Sequence, residues 1–343
     1  MNRRSFLTML GVIPTCPLPE WRFGDTMPRG PALLDRFKLG VISDELSPDL
    51  EEALKIMKGY GLGWVEIRTV WNTYNTEATP EQIRRMKDLL EKYQFKVSVV
   101  DTAFLKCDLP GTKNVVGEKD VHPYAAQMDL LKRAIDRAHA LRTDKLRVFA
   151  FWRVADPEPH FPRIAEELTK AAELARGAGV RLLLEDEGSC NVGCARELAR
   201  MLSLVKAANF GANWDVGNGY WHGEVSYPDG YSLLDKKRIG HVHLKDVRCG
   251  DTATAQKHEA WRKNAVPEDA SKCHTALVGE GQVNLLGHLQ ALLKDGYDGT
   301  MSLEPEYEAP GVSRLQATRR SLEALLKLME QARASTFDTG LWA

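Results

Sequence analysis

Eight short apolar runs recur along the chain, and segments with helical periodicity separate them. The helical segments carry start signals such as Thr79-Pro80-Glu81-Gln82, a capping box with proline at the first helical position, and Ser47-Pro48 ahead of DLEEALKIM. This pattern predicts eight strands that alternate with helices throughout. The apolar runs lie at about 37–42, 64–70, 96–102, 145–151, 180–185, 211–215, 239–244 and 300–304.

The spacing of the runs indicates parallel strands in one barrel. Glu185 to Asp215 is 30 residues and Asp215 to His243 is 28, about the length of a strand, a loop and a returning helix. Eight such units fit a single (β/α)8 TIM barrel, an α/β fold of roughly 250 residues before insertions. We expect a leader at 1–30, the barrel at 31–335 with an inserted polar loop at about 247–278, and a tail at 336–343.

Four consecutive strands end on a side chain that can bind a metal ion: Glu185, Asp215, His243 and Glu304. The carboxyl ends of barrel strands converge, and a carboxylate among apolar residues costs several kcal/mol unless it is paired or bound to metal. Each residue alone is compatible with an ordinary polar strand end. Together they predict a site for one divalent ion, with Mn²⁺ or Mg²⁺ favoured and Co²⁺ or Zn²⁺ as alternatives.

In order and context these residues resemble the xylose isomerase-like TIM barrels, a family described as sugar phosphate isomerases and epimerases. The resemblance covers about residues 37–330, and that family holds its metal with Glu, Asp, His and Glu from strands five to eight. It implies proton transfer next to a sugar carbonyl through a metal-stabilised enediolate. Glu185 and Glu304 would then flank the sugar as catalytic base and acid. Proton return to the opposite face gives epimerisation, and return to the neighbouring carbon gives isomerisation.

Two further motifs bear on this resemblance. LVGEGQV matches the family's Gly-Glu-Gly turn, which makes Glu280 a structural or rim residue. Sugar epimerases of the family often carry Asp-x-x-His after strand six, whereas this chain has Asn218 at that position. Asn218 can bind a sugar hydroxyl but cannot donate a proton as imidazolium does, and His222 is an alternative if its loop folds inward.

Other polar or aromatic residues near strand ends are candidate substrate contacts, since a tryptophan ring stacks on sugar C–H groups and a guanidinium donates to hydroxyls. For each of them, a packed aromatic or an ion pair at the barrel mouth is the alternative. His241 is expected on the opposite face of its strand from His243, as a buried structural residue. The candidates are Glu66, Trp152, Arg153, Glu187 and Lys245, with Arg68 and Asp246 beside them.

Composition limits the partners. A net charge of −1 and a pI near 6.8 leave no general basic surface, which argues against nucleic acid and against the endonuclease IV branch of the same family. That branch also uses histidine where Asn218 stands. The body of the chain has no apolar run of 18 residues, so we expect no transmembrane segment. We expect a small-molecule carbohydrate substrate, and homo-oligomerisation stays open.

The N-terminus resembles a twin-arginine export signal, because NRRSFL is followed by the apolar TMLGVIP. We therefore expect a periplasmic protein, with the cytoplasm as the alternative. Cys16 fits a lipid attachment site poorly, because Thr15 precedes it. Cys190 and Cys194 are close enough to pair in the periplasm, but unpaired structural cysteines are preferred.

Export bears on the substrate, because phosphorylated sugars are mostly intracellular. A free sugar, a sugar acid or an oxidised glycoside is therefore favoured. The same proton abstraction beside the carbonyl of a 3-keto-glycoside would expel the aglycone, so a lyase or hydrolase on modified sugars is the second hypothesis. A non-catalytic sugar-binding barrel is the third, and the complete ligand set argues against it.

Overall fold

Eight parallel strands form the barrel of this computed structural model, which describes residues 37–249, 273–307 and 311–338. Neighbouring strands follow the order β1-β8-β7-β6-β5-β4-β3-β2, and a single parallel bridge between Ile42 and Glu66 joins β1 to β2. The predicted TIM barrel is confirmed, and each apolar run overlaps one strand. In chain order, β1 to β8 are Lys38–Val41, Trp64–Ile67, Lys96–Asp101, Lys145–Val148, Arg181–Glu185, Phe210–Asp215, Ile239–Leu244 and Thr300–Leu303.

Longer helices follow seven of the eight strands. The expected alternation fails once, because residues 218–238 between β6 and β7, all of them described, form only helical segments of three to five residues. In chain order, α1 to α7 are Leu50–Gly59, Pro80–Tyr93, Gln127–Ala140, Phe161–Gly177, Ala195–Leu204, Leu285–Lys294 and Arg314–Asp338. Shorter helical or turn segments are Ser43–Leu46, Asn75–Glu77, Tyr124–Ala126, Glu158–His160, Asn218–His222, Ser226–Gly230, Tyr231–Leu233 and Lys236–Arg238.

Local sequence explains where the first two helices begin. The capping box of α2 is confirmed, since Gln82 N donates to Thr79 Oγ1 at 3.3 Å and Thr79 N donates to Gln82 Oε1 at 2.9 Å. The cap of α1 is Asp49, which accepts from Glu52 N at 3.0 Å. Ser47, the residue expected to signal this start, instead donates its hydroxyl proton to the Glu52 carboxylate at 2.6 Å. Each such cap stabilises its helix by about 1 kcal/mol.

The barrel strands are buried on both faces, because one face points into the barrel and the other lies under the helices. In β5, Leu182, Leu183 and Leu184 are all fully buried. Each such leucine contributes about 1.5–3 kcal/mol through removal of its surface from water. A polar side chain within these strands therefore needs a partner inside the protein.

The ends of the expected inserted loop are ordered. Asp246–Arg248 and His274–Ala276 pair as antiparallel strands, and a disulfide joins Cys249 to Cys273 directly beyond them. This disulfide was not predicted. Residues 250–272 of the loop lie outside the described residues.

The remaining described cysteines are unpaired, as the sequence favoured. Cys107, Cys190 and Cys194 are free and buried, so Cys190 and Cys194 do not form the disulfide that was weighed for them. A second short antiparallel pair, Thr69–Val70 with Thr73–Tyr74, follows β2.

Among the described helices, none combines the length and the apolar character that a membrane crossing requires. The expected leader at 1–30, with Cys16, lies outside the described residues and stays a prediction. The same holds for residues 339–343 of the expected tail, although α7 extends to Asp338.

Candidate functional site

Four buried side chains meet where β5, β6, β7 and β8 end. One atom each of Glu185, Asp215, His243 and Glu304 lies within 4.8 Å of the others. His243 Nδ1 is 3.0 Å from Glu304 Oε2, 3.3 Å from Glu185 Oε1 and 3.8 Å from Asp215 Oδ2. One imidazole nitrogen therefore faces three carboxylates. We call these four residues the ligand cluster.

The ligand cluster fits a divalent cation. Glu185 Oε2, Asp215 Oδ2 and Glu304 Oε2 are buried and receive no hydrogen bond from the residues that the structure describes. Their nearest positive charges are ion-pair contacts, from Arg147 to Glu185 and from Lys245 to Asp215 and Glu304. Three buried carboxylates at one point repel each other, and a bound cation would reduce that cost. Three carboxylates and one imidazole match ions that prefer oxygen ligands.

Two arginines from the other side of the barrel mouth contact the glutamates of the cluster. Arg68 follows β2, and its Nη1 donates to Glu304 Oε1 at 2.7 Å. Arg147 lies in β4, and its Nη1 is 3.1 Å from Glu185 Oε2. Each glutamate therefore has one oxygen against a guanidinium and the other facing His243.

Lys245, directly after β7, is a third cation beside the cluster. Its ammonium lies 3.0 Å from Asp215 Oδ2 and 3.2 Å from Glu304 Oε2, and it donates to Glu306 at 2.8 Å and to Asn218 Oδ1 at 3.4 Å. Burial raises the pKa of Asp215 to about 7, although Lys245 acts in the opposite direction. Burial also acts to raise the pKa of Glu304, but Lys245 and then His243 hold it well below its usual range.

A cavity of about 290 Å³ opens next to the cluster, on the side of β2, β3 and β4. Glu304 belongs both to the cluster and to the cavity wall. The wall combines aromatic rings with cations and carboxylates. Its residues are Arg68, Tyr74, Glu77, Ala103, Lys106, Val121, His122, Arg147, Phe149, Trp152, Glu187, Glu304 and Glu306.

Lys106 organises the aromatic part of this wall. Its ammonium lies 4.4 Å from the centre of the Phe149 ring and 5.6 Å from that of Trp152, and 3.5 Å from Glu187 Oε2. Trp152 Nε1 donates to Asp120 Oδ1 at 3.1 Å, which fixes the indole against the cavity. Of the substrate-contact candidates, Trp152 and Glu187 are thus in the cavity wall, and Lys245 and Asn218 adjoin the cluster.

Two other candidates lie outside this cavity. Arg153 pairs with Glu197 through two contacts of 2.8 and 3.1 Å and joins the β4 end to α5. His222 is buried, and its Nε2 lies 3.0 Å from the Gly188 carbonyl oxygen. Burial lowers the pKa of His222 to about 4. His222 is thus not among the residues that form the ligand cluster or the cavity wall.

Glu66 and His241 lie below the cluster inside the barrel. Glu66 is fully buried and contacts both His241 and His243, at 2.9 and 3.0 Å. The expectation that His241 faces away from His243 was wrong, because residues two apart on a strand share a face. The expectation that His241 is buried was right.

The Gly-Glu-Gly turn is built around Asp246. Its carboxylate accepts from the backbone N–H groups of Gly279 at 2.9 Å and Gly281 at 3.0 Å. Glu280 between them is exposed and forms an ion pair with Arg320 at 3.1 Å. Asp246 therefore holds the backbone of the turn, and Glu280 forms an ion pair at its surface.

The residues that sequence analysis missed lie on the side of β3 and β4. Arg147, Tyr74 and Lys106 line the cavity, and Arg147 Nε is also 3.3 Å from Asp101 Oδ1. One signal was available: Arg147 interrupts the apolar run KLRVFAF. A buried arginine needs a carboxylate partner, so its presence there indicated an ion pair in the barrel.

Comparisons with known proteins agree with this fold. A family profile described as xylose isomerase-like TIM barrel matches residues 54–328. A solved structure of an IOLI protein with a bound zinc atom has a TM-score of 0.63 and 18% identity, and the match covers 86% of this chain and 99% of that one. At this identity the likeness is one of fold.

Two relatives have described activities. An inosose dehydratase from Serratia proteamaculans (strain 568) is 26% identical over 162 residues, which are 45% of this chain and 52% of that protein. The chain thus spans about half the length of this relative. A fructoselysine 3-epimerase from Shigella flexneri is 26% identical over 219 residues, which are 62% of this chain and 70% of that protein.

Proposed function

This chain belongs to the xylose isomerase-like TIM barrel family, and we propose that it is a divalent-metal-dependent isomerase or epimerase acting next to the carbonyl of a neutral sugar. The observation that carries the proposal is the position of Glu304, in both the ligand cluster and the cavity wall. A carboxylate at that position can contact an ion and a substrate together. That arrangement suits chemistry at a carbonyl better than passive binding.

The four residues of the ligand cluster would hold the ion. A divalent ion bound there supplies positive charge that polarises a carbonyl oxygen and acidifies the neighbouring C–H group. We favour Mn²⁺ or Mg²⁺, because three of the four ligands are carboxylates. Co²⁺ and Zn²⁺ are the alternatives to test, and the zinc of the IOLI structure supports including the latter.

Proton transfer falls to Glu185 and Glu304. Arg147 and Arg68 each contact one oxygen of these carboxylates, at 3.1 and 2.7 Å, and so fix their orientation towards the substrate. One glutamate takes the proton as the C–H bond breaks, and the electron pair moves onto the carbonyl oxygen. The other, already protonated, returns a proton to the opposite face of the same carbon as the electron pair moves back to it, which gives epimerisation. For isomerisation, the hydroxyl proton of that carbon passes to the former carbonyl oxygen, and the returned proton bonds to the former carbonyl carbon.

The two relatives support this class of chemistry. One is named an epimerase and the other a dehydratase. Removal of a proton beside a carbonyl is a step that serves both reactions. The proposal therefore rests on this shared step. In epimerisation the electron pair takes up a proton at carbon again, and in dehydration it expels a hydroxyl group.

The charges around the cavity favour a neutral substrate. Arg68 and Arg147 are already paired with the two glutamates, and Lys106 is paired with Glu187. Among the described residues of the wall, every lysine and arginine thus has a carboxylate partner. A phosphate dianion would have to displace one of these carboxylates, which costs free energy. A sugar hydroxyl needs only a hydrogen-bond partner.

A second candidate function, elimination from a glycoside, is favoured by the outer part of the cavity. Val121 in the wall is 78% exposed, and Phe149 and Trp152 continue the apolar surface inwards. A sugar ring can stack on Phe149 and Trp152, and the exposed Val121 beyond them adds apolar surface that suits a sugar with an apolar substituent. Proton removal beside the carbonyl of a 3-keto-glycoside would expel that substituent.

Export remains part of the proposal. The disulfide between Cys249 and Cys273 supports an oxidising compartment, where disulfides persist. We expect the full chain to reach the periplasm and the Arg3→Lys, Arg4→Lys double variant to stay in the cytoplasm, as measured by cell fractionation. Equal distribution of the two proteins would contradict export by the twin-arginine route.

The proposed reaction is tested with metal-loaded protein and a panel of neutral keto- and aldo-sugars in D₂O. We expect NMR to show deuterium at the carbon next to the carbonyl, together with a changed configuration or a moved carbonyl. Glu304→Gln is expected to show neither. A 3-keto-glycoside in the same panel separates elimination, since aglycone release without a new sugar configuration would favour the second candidate. No exchange with any sugar and any of the four ions would contradict both.

A further inference from the structure

We infer that Glu66 is a positioning residue that orients His243 for the ligand cluster. The inference rests on the proposed metal site and extends it to residues below the ligands. Glu66 Oε1 lies 3.0 Å from His243 Nε2, and Glu66 Oε2 lies 2.9 Å from His241 Nε2. All three side chains are fully buried. Glu66 therefore acts through the histidine and does not touch the substrate.

The chemistry of the carboxylate decides which nitrogen of His243 is free. An ionised carboxylate has only acceptors, so both imidazoles must donate an N–H group to Glu66. A neutral His243 that carries its proton on Nε2 has its lone pair on Nδ1. That nitrogen is the one that faces Glu304 and Glu185, at 3.0 and 3.3 Å. The orientation suits a metal-ligating histidine whose second nitrogen donates to a carboxylate.

His241 holds Glu66 in turn. His241 Nδ1 lies 2.6 Å from Thr300 Oγ1, so the hydroxyl donates to this nitrogen while Nε2 donates to Glu66. The register of the sheet produces this contact, because Thr300 in β8 pairs with His241 in β7. The rings of His241 and His243 are nearly perpendicular, at 89°. The result is one line of contacts: Thr300, His241, Glu66 and His243.

The alternative for Glu66, His241 and His243 is a second cation site, since their atoms are close enough to share an ion. The hydrogen bonds argue against it. Both oxygens of Glu66 are within hydrogen-bond distance of an imidazole nitrogen, so this group is satisfied internally. The ligand cluster differs, because three carboxylates there surround a single imidazole nitrogen, which cannot donate to all of them.

One other polar group contacts His243. Asn213 Nδ2 lies 3.2 Å from Nε2 and 3.4 Å from Nδ1. Because it is nearly equidistant from the two nitrogens, it does not select between them. The choice of tautomer therefore falls to Glu66.

The test replaces Glu66 with glutamine, which keeps the shape but offers one acceptor oxygen and one NH₂ group. Only one imidazole can then donate to it, so the side chain no longer requires His243 to carry its proton on Nε2. We expect Glu66→Gln to weaken Mn²⁺ affinity about 10- to 100-fold. We also expect a change in the visible absorption of the Co²⁺-loaded protein, which reports ligand geometry. Affinity is measured by titration calorimetry, and turnover is not needed for either reading.

The matched control is Glu197→Gln, another buried glutamate whose partner is Arg153 and which lies outside the cluster. It tests for a general effect of losing a buried carboxylate, and we expect wild-type affinity and spectrum. If Glu66→Gln does not fold, Thr300→Val removes only the hydroxyl that contacts Nδ1 of His241 and leaves Ser302 Oγ, which lies 3.1 Å from its Nε2. We expect that variant to weaken affinity severalfold.

Wild-type affinity and spectrum in Glu66→Gln, or in Thr300→Val where that variant stands in for it, would overturn the inference. So would equal losses in Glu66→Gln and Glu197→Gln. A wild-type chain that binds none of the ions overturns both this inference and the proposed function. Tight ion binding without turnover on any sugar contradicts the proposed function alone.

Discussion

The two sides of the barrel mouth carry opposite charges and suit different tasks. The anionic side, at the ends of β5 to β8, consists of Glu185, Asp215, His243 and Glu304. The cationic side, from β2 to β4 and their loops, consists of Arg68, Lys106 and Arg147, with the aromatic rings beside them. The carboxylates of the anionic side exceed what its one imidazole can neutralise. Arg68 and Arg147 from across the mouth and Lys245 beside the cluster neutralise part of that charge. Each of these cations also contacts a carboxylate outside the cluster, so negative charge remains that fits a divalent ion.

Under the proposed function, the two sides of the mouth have different tasks: the anionic side would hold an ion and the cationic side would bind a neutral sugar. Charges on the cationic side are paired with carboxylates, so they orient those carboxylates and leave little free positive charge for an anionic substrate. The aromatic rings on the same side offer a surface for the C–H groups of a sugar. Changes on the two sides should therefore alter different measured quantities.

The largest expected effect is that of Glu304→Gln on the anionic side. The change removes a carboxylate that belongs to both the ligand cluster and the cavity wall, so ion affinity and turnover should fall together. We expect a loss of about 10³-fold or more in kcat, as for removal of a group that acts directly in the reaction. Glu280→Gln, on the exposed turn, is the control. Normal turnover in Glu304→Gln would remove this residue from the mechanism.

Arg147→Met, on the cationic side, should separate the two quantities. It removes the guanidinium 3.1 Å from Glu185 Oε2, so the carboxylate loses its fixed orientation and kcat/KM should fall about 10- to 100-fold. Removal of a positive charge next to the cluster does not weaken attraction for a cation, so Mn²⁺ affinity should not fall. Steady-state kinetics measures kcat/KM, and titration calorimetry measures the Mn²⁺ affinity.

A parallel loss of ion affinity in Arg147→Met would contradict the separation of the two sides, because it would make Arg147 part of the ion site. Arg84→Met is the control, since Arg84 is exposed on α2 and contacts only Glu81 among the described ion pairs. We expect that variant to match the wild type in both measurements.

The contrast between the two sides also explains what the sequence could predict. The strands and the placement of the ligand cluster follow from local patterns, because apolar runs mark strands and consecutive strand ends must converge in a barrel. Arg147 interrupts the apolar run KLRVFAF, which indicates a buried ion pair but not its partners, and Lys106 gave no local signal. Their positions depend on which strands face each other across the mouth, which periodicity within one segment does not contain.

The disulfide shows the same limit. Cys249 and Cys273 are 24 residues apart in a polar insertion with no periodicity, so their proximity depends on the short antiparallel strands at its ends. Cys190 and Cys194 are much closer in sequence but stay unpaired. Sequence separation is thus a poor guide to pairing when the backbone between the cysteines is not known.

Trp152→Leu should affect substrate binding more than chemistry. The indole lies in the cavity wall and away from the ligand cluster, so its loss removes a stacking surface worth about 1–1.5 kcal/mol. We expect KM to rise about tenfold with kcat within twofold of the wild type. Trp71→Leu is a control outside the cavity. A fall in kcat with unchanged KM would place Trp152 in the reaction and contradict the assignment of the aromatic rings to binding.

Arg153→Gln should have the smallest effect on activity, because its contacts lie behind the mouth. Arg153 donates to Glu197 in α5 at 2.8 and 3.1 Å and to the carbonyl oxygen of Cys190, between β5 and α5, at 3.1 Å. We expect kcat/KM within twofold of the wild type, but a free energy of unfolding lower by about 1–3 kcal/mol in urea titrations. In a double-mutant cycle, Glu197→Gln should add much less to Arg153→Gln than it costs alone, because the two side chains share these bonds. A large loss of kcat/KM in the folded variant would instead return Arg153 to the substrate contacts that its strand-end position first suggested.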